Sequence, residues 1–408
     1  MSSSCRNRSL SRTATAALAV TILFALAVAL TPTAGAQTYK VLYTFTRWTW
    51  PCTGLTMDAA GNFYGTTFSG VVFKLTHVGS GWVFTPLGGP GGSYNILGRV
   101  AIAKDGTLYG TALYGYGYCD WYKGGTGGVV FHLTPGPTAP KTPFAPWNAN
   151  IIHDFGRGLD GRGGPQGDLT FDQAGNIYGT TMWGGCGQPG LGVIYELTPS
   201  AGGWTETVLY APCGDDGSVP RGGVVLDGSG NLWGVYWGTN AVFQLSASGS
   251  GWTQTLYPTD GTEPMGGLMT DASGNLYGTT TGGGGDPAQF NGTVFELIHS
   301  SGGWTLNTLY VFPRSPTGNS VAPEAKLTMD AAGNLYGTGT YGGVYGYGTV
   351  FKLTPSSGGW TYTSLYDFTG GSDGANPMSE VTIGLNGRLY GTASGQYGTN
   401  GVVWEITP

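Results

Sequence analysis

Short runs of alternating apolar and polar residues recur along the chain, and a similar turn follows most of them. Segments such as Leu55-Thr56-Met57 and Leu327-Thr328-Met329 lead into Asp, a few small residues, Gly and Asn. Alternation with a period of two predicts a strand. The stretch from Asp to Asn predicts a hairpin turn, because Asp can bond the backbone two residues on and Gly supplies a positive φ.

The turn and the strand after it form a signature that occurs seven times. Its copies are GNFYGT at Gly61, DGTLYG at Asp105, GNIYGT at Gly175, GNLWGV at Gly230, GNLYGT at Gly274 and Gly333, and GRLYGT at Gly387. Each copy precedes a third predicted strand, such as TVFEL, and in most units a Gly/Ser turn leads to a fourth, such as GWTLNTLY. Spacings of 44 to 69 residues predict a repeat architecture.

The fold class that this pattern predicts is an all-β, seven-bladed β-propeller of four-stranded antiparallel blades. The last unit stops after its third strand at Pro408, whereas YKVLYTF at Tyr39–Phe45 has the pattern of a fourth strand. We therefore expect this N-terminal strand to complete the last blade and close the ring, which removes two exposed sheet edges. A linear solenoid is the alternative, but it needs no such permutation.

The repeated residues also carry a family resemblance. GNLYGT followed by GTVFKL, GGWT and LYDF, with the linker GSDGANP, resembles the bacterial tandem-repeat proteins of the GloVer-repeat (choice-of-anchor) family. The resemblance covers nearly all of the chain after residue 36 and is most specific in units 3, 5 and 6. It implies exported bacterial proteins, often with a C-terminal surface anchor, and no established activity. This chain ends in EITP without a sorting tail, so we expect release into the medium or periplasm.

Residues 1–36 have the pattern of a secretory signal peptide. Arg6, Arg8 and Arg12 precede an apolar run at 16–30, and small residues follow up to Ala36. The run is shorter than the roughly 20 residues of a membrane span, so we expect cleavage near Ala36 and a propeller domain at 37–408. That domain has 14 basic and 23 acidic residues, which makes nucleic acid an improbable partner. We expect a monomer that is not embedded in a membrane.

Four cysteines remain after residue 36, namely Cys52, Cys119, Cys186 and Cys213. An even number in an exported protein favours two disulfides, and the absence of CxxC spacing disfavours zinc. Cys186 lies in a loop of unit 3 and Cys213 in the linker that leaves it, so these two are predicted to pair. The remaining prediction is Cys52 with Cys119.

Aromatic residues collect in the loops that vary between units. If the first strand of each blade is innermost, the loops between second and third strands share one face with the linkers between blades, and we call this the loop face. Rigid rings set among glycines suit stacking on sugars, so these residues are the candidate ligand-binding set. The alternative is that they pack loop on loop. The candidates are Trp48, Trp50, Tyr116, Trp121, Tyr122, Trp183, Trp237 and Tyr345.

Acidic linkers and catalytic motifs add little to this picture. Asp160, Asp216, Asp260 and Asp373 each precede a Pro by four or five residues. Such a set could hold calcium, but repetition at equivalent places favours turn chemistry, and no metal or cofactor is predicted. The chain has no HExxH motif, and its four histidines are scattered. No catalytic residue is therefore assigned.

Three functions remain open from the sequence. The favoured one is a secreted propeller that binds an extracellular glycan or cell-envelope polymer through its aromatic loop face. The second is a structural or protein-interaction platform with a surface protein as partner. The third is a glycoside hydrolase or polysaccharide lyase, which requires two carboxylates that converge at the channel mouth.

Overall fold

Seven antiparallel blades form the fold, as the sequence predicts, and each has four strands except blade 2, whose inner position is divided between two short strands. The computed structural model describes residues 37–46, 49–91, 94–114, 127–136, 147–155, 163–186, 190–249, 251–283, 291–314, 316–395 and 399–408. The propeller comprises the compact unit Tyr39–Thr407. Within the described residues, no helix is long and apolar enough to cross a membrane.

The blades follow one another along the chain, and each runs from a short inner strand to a long outer strand. Blade 1 consists of Thr56–Met57, Phe63–Thr66, Val72–Val78 and Gly81–Gly88. Blade 2 consists of Tyr94–Asn95 with Ala101–Ile102, then Leu108–Tyr114, Gly128–Thr134 and Asn148–Asp154. Blade 3 consists of Thr170–Phe171, Ile177–Thr181, Val193–Ser200 and Gly203–Tyr210. Blade 4 consists of Pro220–Leu226, Leu232–Tyr236, Ala241–Ser248 and Gly251–Pro258.

The last three blades repeat this order. Blade 5 consists of Met269–Thr270, Leu276–Thr280, Thr293–Ser300 and Gly303–Val311, beside the small pair Gly261–Thr262 and Gly282–Gly283. Blade 6 consists of Thr328–Met329, Leu335–Gly339, Thr349–Ser356 and Gly359–Asp367. Blade 7 consists of Thr382–Ile383, Leu389–Ala393 and Val402–Thr407, with Thr38–Thr44 as its outer strand. A 3-10 helix, Gly214–Asp216, lies in the linker between blades 3 and 4.

The strand Thr38–Thr44, which we call the closing strand, lies beside Val402–Thr407 and completes blade 7. The Tyr39 ring stacks on Tyr366 of blade 6 at 3.8 Å between centroids, and its hydroxyl donates to the Asp373 carbonyl at 2.6 Å. On the other side, Tyr43 stacks on Phe84 of blade 1 at 4.2 Å. The predicted closure by an N-terminal strand therefore agrees with the structure.

The repeated Asp holds the hairpin turn at the inner edge of a blade. In blade 6, Asp330 accepts hydrogen bonds from the Asn334 backbone and side chain and from the Tyr336 hydroxyl. Blades 1, 3, 4 and 5 have the same turn at Asp58, Asp172, Asp227 and Asp271. Burial alone would raise the pKa of Asp330, but these hydrogen bonds outweigh it and lower the pKa.

The second glycine of the signature makes room for an aromatic ring. In blade 5, Gly278 is paired with Phe295 of the third strand, and a Cβ at Gly278 would lie 2.4 Å from the ring. In every blade the equivalent glycine opposes a fully buried aromatic residue. A Cβ on that glycine would lie 2.3–2.5 Å from the nearest atom of the aromatic side chain. These pairs are Gly65/Phe73, Gly110/Phe131, Gly179/Tyr195, Gly234/Phe243, Gly337/Phe351 and Gly391/Trp404.

Replacement of Gly278 by alanine is expected to lower the free energy of unfolding by about 1–3 kcal/mol, because the new methyl group would overpack the Phe295 ring. The matched control is Gly274→Ala in the turn of the same blade, where a Cβ meets nothing within 4 Å but φ is +84°. That change should cost about 1 kcal/mol from backbone strain alone. Urea unfolding measures both, and a Gly278 variant no less stable than the control would contradict the packing argument.

Candidate functional site

The linkers and the loops between second and third strands meet on one face, as the sequence analysis assumes for the loop face. The Trp237 amide donates to the Val219 carbonyl at 3.0 Å, and the Thr281 amide donates to Glu263 at 3.1 Å. Tyr341 makes the same contact with Val321 at 3.2 Å. In blades 4, 5 and 6 the start of the loop is thereby hydrogen-bonded to the linker that enters the same blade.

Four of the eight candidate aromatic residues lie within the described residues, and they differ in exposure. Trp50 packs beside Phe68 with ring centroids 6.1 Å apart, and Trp183 covers Gly163. The Arg221 guanidinium lies 5.5 Å from the centre of the Trp237 ring. Tyr345 is 54% exposed. The candidates Trp48, Tyr116, Trp121 and Tyr122 lie outside the described residues.

Tyr341, Val344 and Tyr345 form an exposed apolar surface on the loop of blade 6, which we call the tyrosine patch. Their exposed fractions are 45%, 55% and 54%. Among the described residues, Tyr341 and Tyr345 are the two exposed aromatic side chains. Tyr347 in the same loop packs instead against Gly370. The half-buried tryptophans fit the loop-packing alternative, whereas about half of each side chain in the tyrosine patch is exposed to solvent.

One disulfide joins the loop of blade 3 to the linker that leaves it, between Cys186 and Cys213 with 5.4 Å between Cα atoms. Cys52 also lies in a disulfide, whose partner is outside the described residues. The predicted Cys52–Cys119 pair falls on the undescribed Cys119 and stays a prediction. Disulfides are typical of oxidising compartments.

In four blades the linker turns sharply before it reaches the channel mouth. Val219, Glu263, Ala322 and Asn376 have φ between 44° and 57°, and a proline follows each of them. A positive φ in a residue with a side chain costs roughly 1–3 kcal/mol, so the surrounding contacts must hold these turns. The residue after each proline then lies at the mouth of the channel or beside it, on the loop face.

Two rings of residues, one from each blade, surround the channel mouth. One ring, which we call the second ring, contains the residue directly before a buried Leu or Val at or near the inner strand of each blade. The other, which we call the entry ring, contains the residue two positions earlier in the sequence. The second ring is Gly54, Arg99, Asp168, Gly223, Gly267, Lys326 and Glu380. The entry ring is Cys52, Leu97, Gln166, Arg221, Met265, Glu324 and Met378. All but Gly223 and Arg221 line a cavity of about 70 Å³.

Arg99 of blade 2 connects members of the second ring from blades 3 and 7, and it passes blade 1 to reach the latter. Its guanidinium contacts Asp168 Oδ2 at 3.2 Å on one side and Glu380 Oε2 at 3.1 Å on the other. Glu380 can be reached because position 54 is glycine: a Cβ there would lie 3.1 Å from Glu380 Cβ. The backbone amide of Arg99 also donates to Asp168 Oδ1 at 3.1 Å. The three side chains thus form one ion-pair network.

Among the carboxyl groups at the mouth, Glu324 has the pKa that is shifted furthest from its ordinary value. Burial raises its pKa to about 7, the Thr340 hydroxyl and the Arg221 charge oppose this shift, and the Glu263 carboxylate adds to it. Glu263 itself accepts a hydrogen bond from Thr281 at 3.1 Å. Below pH 7 most Glu324 side chains are therefore uncharged and can donate a hydrogen bond.

A larger cavity of about 470 Å³ lies along the inner strands. Lys326 and Glu380 line both this cavity and the mouth, so the channel is narrower at the loop face than along the inner strands. In the described part of the chain, no group of three His, Cys, Asp or Glu residues could hold a metal ion. Asp373 instead accepts bonds from the Thr369 amide and hydroxyl at 2.7 and 2.6 Å, which is turn chemistry.

The sequence analysis did not identify the mouth residues. Their signal is local and weak: a charged residue precedes the inner strand in four of the seven units, at Arg99, Asp168, Lys326 and Glu380. Neither a motif nor a spacing links these positions. Only the closed ring brings them together.

Comparison with known proteins places the repeat in a family. The family model described as the Gloeobacter/Verrucomicrobia repeat matches residues 237–408, from the end of the second strand of blade 4 to the end of blade 7. Residues 237–408 carry the Gloeobacter/Verrucomicrobia repeat. The resemblance drawn from the sequence motifs is confirmed for this part of the chain. No curated protein sequence matches the chain.

Several solved structures resemble the propeller fold of this chain. A streptogramin B lyase has a TM-score of 0.60 at 14% identity, over 91% of this chain and 97% of that one. Virginiamycin B lyase from Staphylococcus aureus has 0.59 at 15%, over 91% and 99%. An ancestral GH74 enzyme has 0.55 at 13%, over 90% of this chain and 50% of that one. Identities this low show the fold alone.

Proposed function

We propose that this protein is an exported propeller that binds an extracellular glycan or cell-envelope polymer on its loop face. The observation that carries the proposal is the tyrosine patch, because its two rings are exposed where the other described aromatic side chains are at least half-buried. Flat rings suit stacking on the apolar face of a sugar and lose little entropy on binding. The undescribed Trp121 and Tyr122 belong to the same proposal.

The position of the patch supports a ligand rather than a flat protein contact. Tyr341 directly follows Thr340, whose hydroxyl acts on Glu324 at the channel mouth. We infer that a polymer lying on the tyrosines extends towards the cavity that Glu324 lines. Export, with cleavage near Ala36, is part of the proposal, and the Cys186–Cys213 disulfide is consistent with it.

A Tyr341→Ala and Tyr345→Ala double variant is expected to bind a recognised polysaccharide at least about tenfold more weakly, since buried aromatic contacts dominate interfaces of this kind. Residues 37–408 would be tested on a glycan array, with affinities of hits measured by calorimetry. The matched control is Val78→Ala with Leu385→Ala, two exposed apolar residues on the opposite face, of which Val78 ends a strand and Leu385 lies in a turn.

Undiminished binding by the tyrosine variant, or equal losses in both variants, would contradict the proposal. Reducing ends released during the same incubation would instead support cleavage of the glycan. That second candidate is favoured by Glu324, because a buried carboxyl with a pKa near 7 suits a general acid.

A further inference from the structure

Three groups at the channel mouth can donate hydrogen bonds that they do not make. Within the described residues, no carboxylate lies within ion-pair distance of the Lys326 amine. Gln166 is only 2% exposed, yet neither atom of its amide has a hydrogen-bond partner. Oε2 of Glu324 is also buried without one. Because unmade hydrogen bonds of buried groups are costly, all three favour a ligand that supplies acceptors.

Lys326 is the cation at the mouth without a directly contacting carboxylate among the described residues. Arg99 shares its single positive charge between Asp168 and Glu380, so the four charges of Arg99, Lys326, Asp168 and Glu380 that line the cavity sum to zero. Glu324 is largely uncharged below pH 7. Lys326 therefore balances the carboxylates only at a distance, and a ligand carboxylate is an acceptor group that suits direct contact with an ammonium ion.

The shape of the cavity limits how much of the ligand enters. Its volume of about 70 Å³ holds a few atoms of the size of a water molecule, which is enough for a carboxylate but not for a whole sugar ring. A carboxylate that projects from a polymer on the loop face therefore matches the size of the cavity, whereas the sugar ring stays outside it.

We propose that the channel mouth binds the carboxylate of a uronic acid residue in the glycan that lies on the tyrosine patch. This inference rests on the proposed function and names its substrate class. Lys326 pairs with the carboxylate, protonated Glu324 and the Gln166 amide donate to it, and Gln166 Oε1 accepts from a neighbouring sugar hydroxyl. Arg99 holds the adjacent carboxylates away from Lys326.

The test compares acidic oligosaccharides with uncharged counterparts of the same chain. Calorimetry on residues 37–408 would use oligomers of galacturonate, glucuronate and mannuronate, each beside its methyl ester. We expect at least one acid form to bind about tenfold more tightly than its ester at pH 6. Lys326→Met should reduce the affinity for the acid form to that for the ester.

Two variants serve as controls. Lys104→Met removes a lysine from the hairpin turn of blade 2, on the face opposite the loop face, and should not alter binding. In the natural chain, affinity for the acid form should fall between pH 6 and 8, because ionised Glu324 repels the ligand carboxylate. Arg221 and Glu263 are the other charged groups that face Glu324. Glu324→Gln should bind the acid form and abolish this pH dependence.

The outcomes separate the two proposals. If acids and esters bind equally and the tyrosine double variant loses both, the proposed function stands and the uronate site is wrong. Equal effects of Lys326→Met and Lys104→Met would also overturn the site. If none of the oligomers binds but a neutral array glycan does, the uronate site alone fails, whereas absence of any glycan binding overturns both proposals.

Discussion

Replacement of Phe45 by alanine is expected to lower the free energy of unfolding by about 3–5 kcal/mol. Phe45 follows the closing strand and is 2% exposed. Its ring packs at 5.3 Å from Phe73 of blade 1, in a cluster that also contains Tyr390 and Val403 of blade 7. The side chain therefore fills the junction at which the ring closes, and its removal leaves a cavity between the first and last blades.

Chemical unfolding would measure this loss, with Leu385→Ala as the control. Leu385 is 74% exposed in a turn of blade 7, and its replacement should change stability by less than about 0.5 kcal/mol. A chain that begins at residue 47 lacks the closing strand and therefore tests the role of this strand in ring closure. It should expose the edge of Val402–Thr407 and associate, as judged by its elution volume. A monomeric truncated chain with unchanged stability would show that the closing strand does not hold the ring.

Replacement of Arg99 by methionine is the second large effect, with an expected loss of about 3 kcal/mol. The change removes the cation shared by Asp168 and Glu380 and leaves two carboxylates that are only 27% and 14% exposed. Most of the cost is the desolvation of these unpaired charges. Adding Asp168→Asn and Glu380→Gln to the variant should therefore recover part of the lost stability.

The matched control is Arg388→Met. Arg388 pairs with Glu405 at 2.8 Å, but its side chain is 46% exposed, so the loss should stay within about 1 kcal/mol. Thermal and urea unfolding would compare the two arginines. Similar losses in both, or no recovery in the triple variant, would show that the network at the channel mouth contributes no more than a surface ion pair.

The blades could be predicted because their information is local and repeated. Period-two alternation, the Asp-to-Asn turn and the seven signatures each lie within a few residues, and the closing strand matches the outer strands of other blades. The recurrence of the signature glycine could also be read from the sequence, but the packing that requires a glycine there could not. Gly278 opposes Phe295 from the next strand, and only the strand register shows that a methyl group would overlap the ring.

The candidate site could be predicted only in part. Aromatic loop residues were found from composition, and Tyr345 is indeed exposed, but Trp50, Trp183 and Trp237 are half-buried against loops and linkers. Whether a ring among glycines covers its neighbours or faces solvent depends on how loops meet. No periodicity along the chain contains that information.

The sequence by itself determined the number of blades, their strand order, the turn chemistry and the strand that closes the ring. Only the tertiary structure decided which residues face the channel. Arg99, Asp168 and Glu380 are separated by up to 281 positions, yet one guanidinium contacts both carboxylates. The reason is physical: repeats make the strands of each blade alike, but closure of the ring brings together one position from each blade at which the repeats differ.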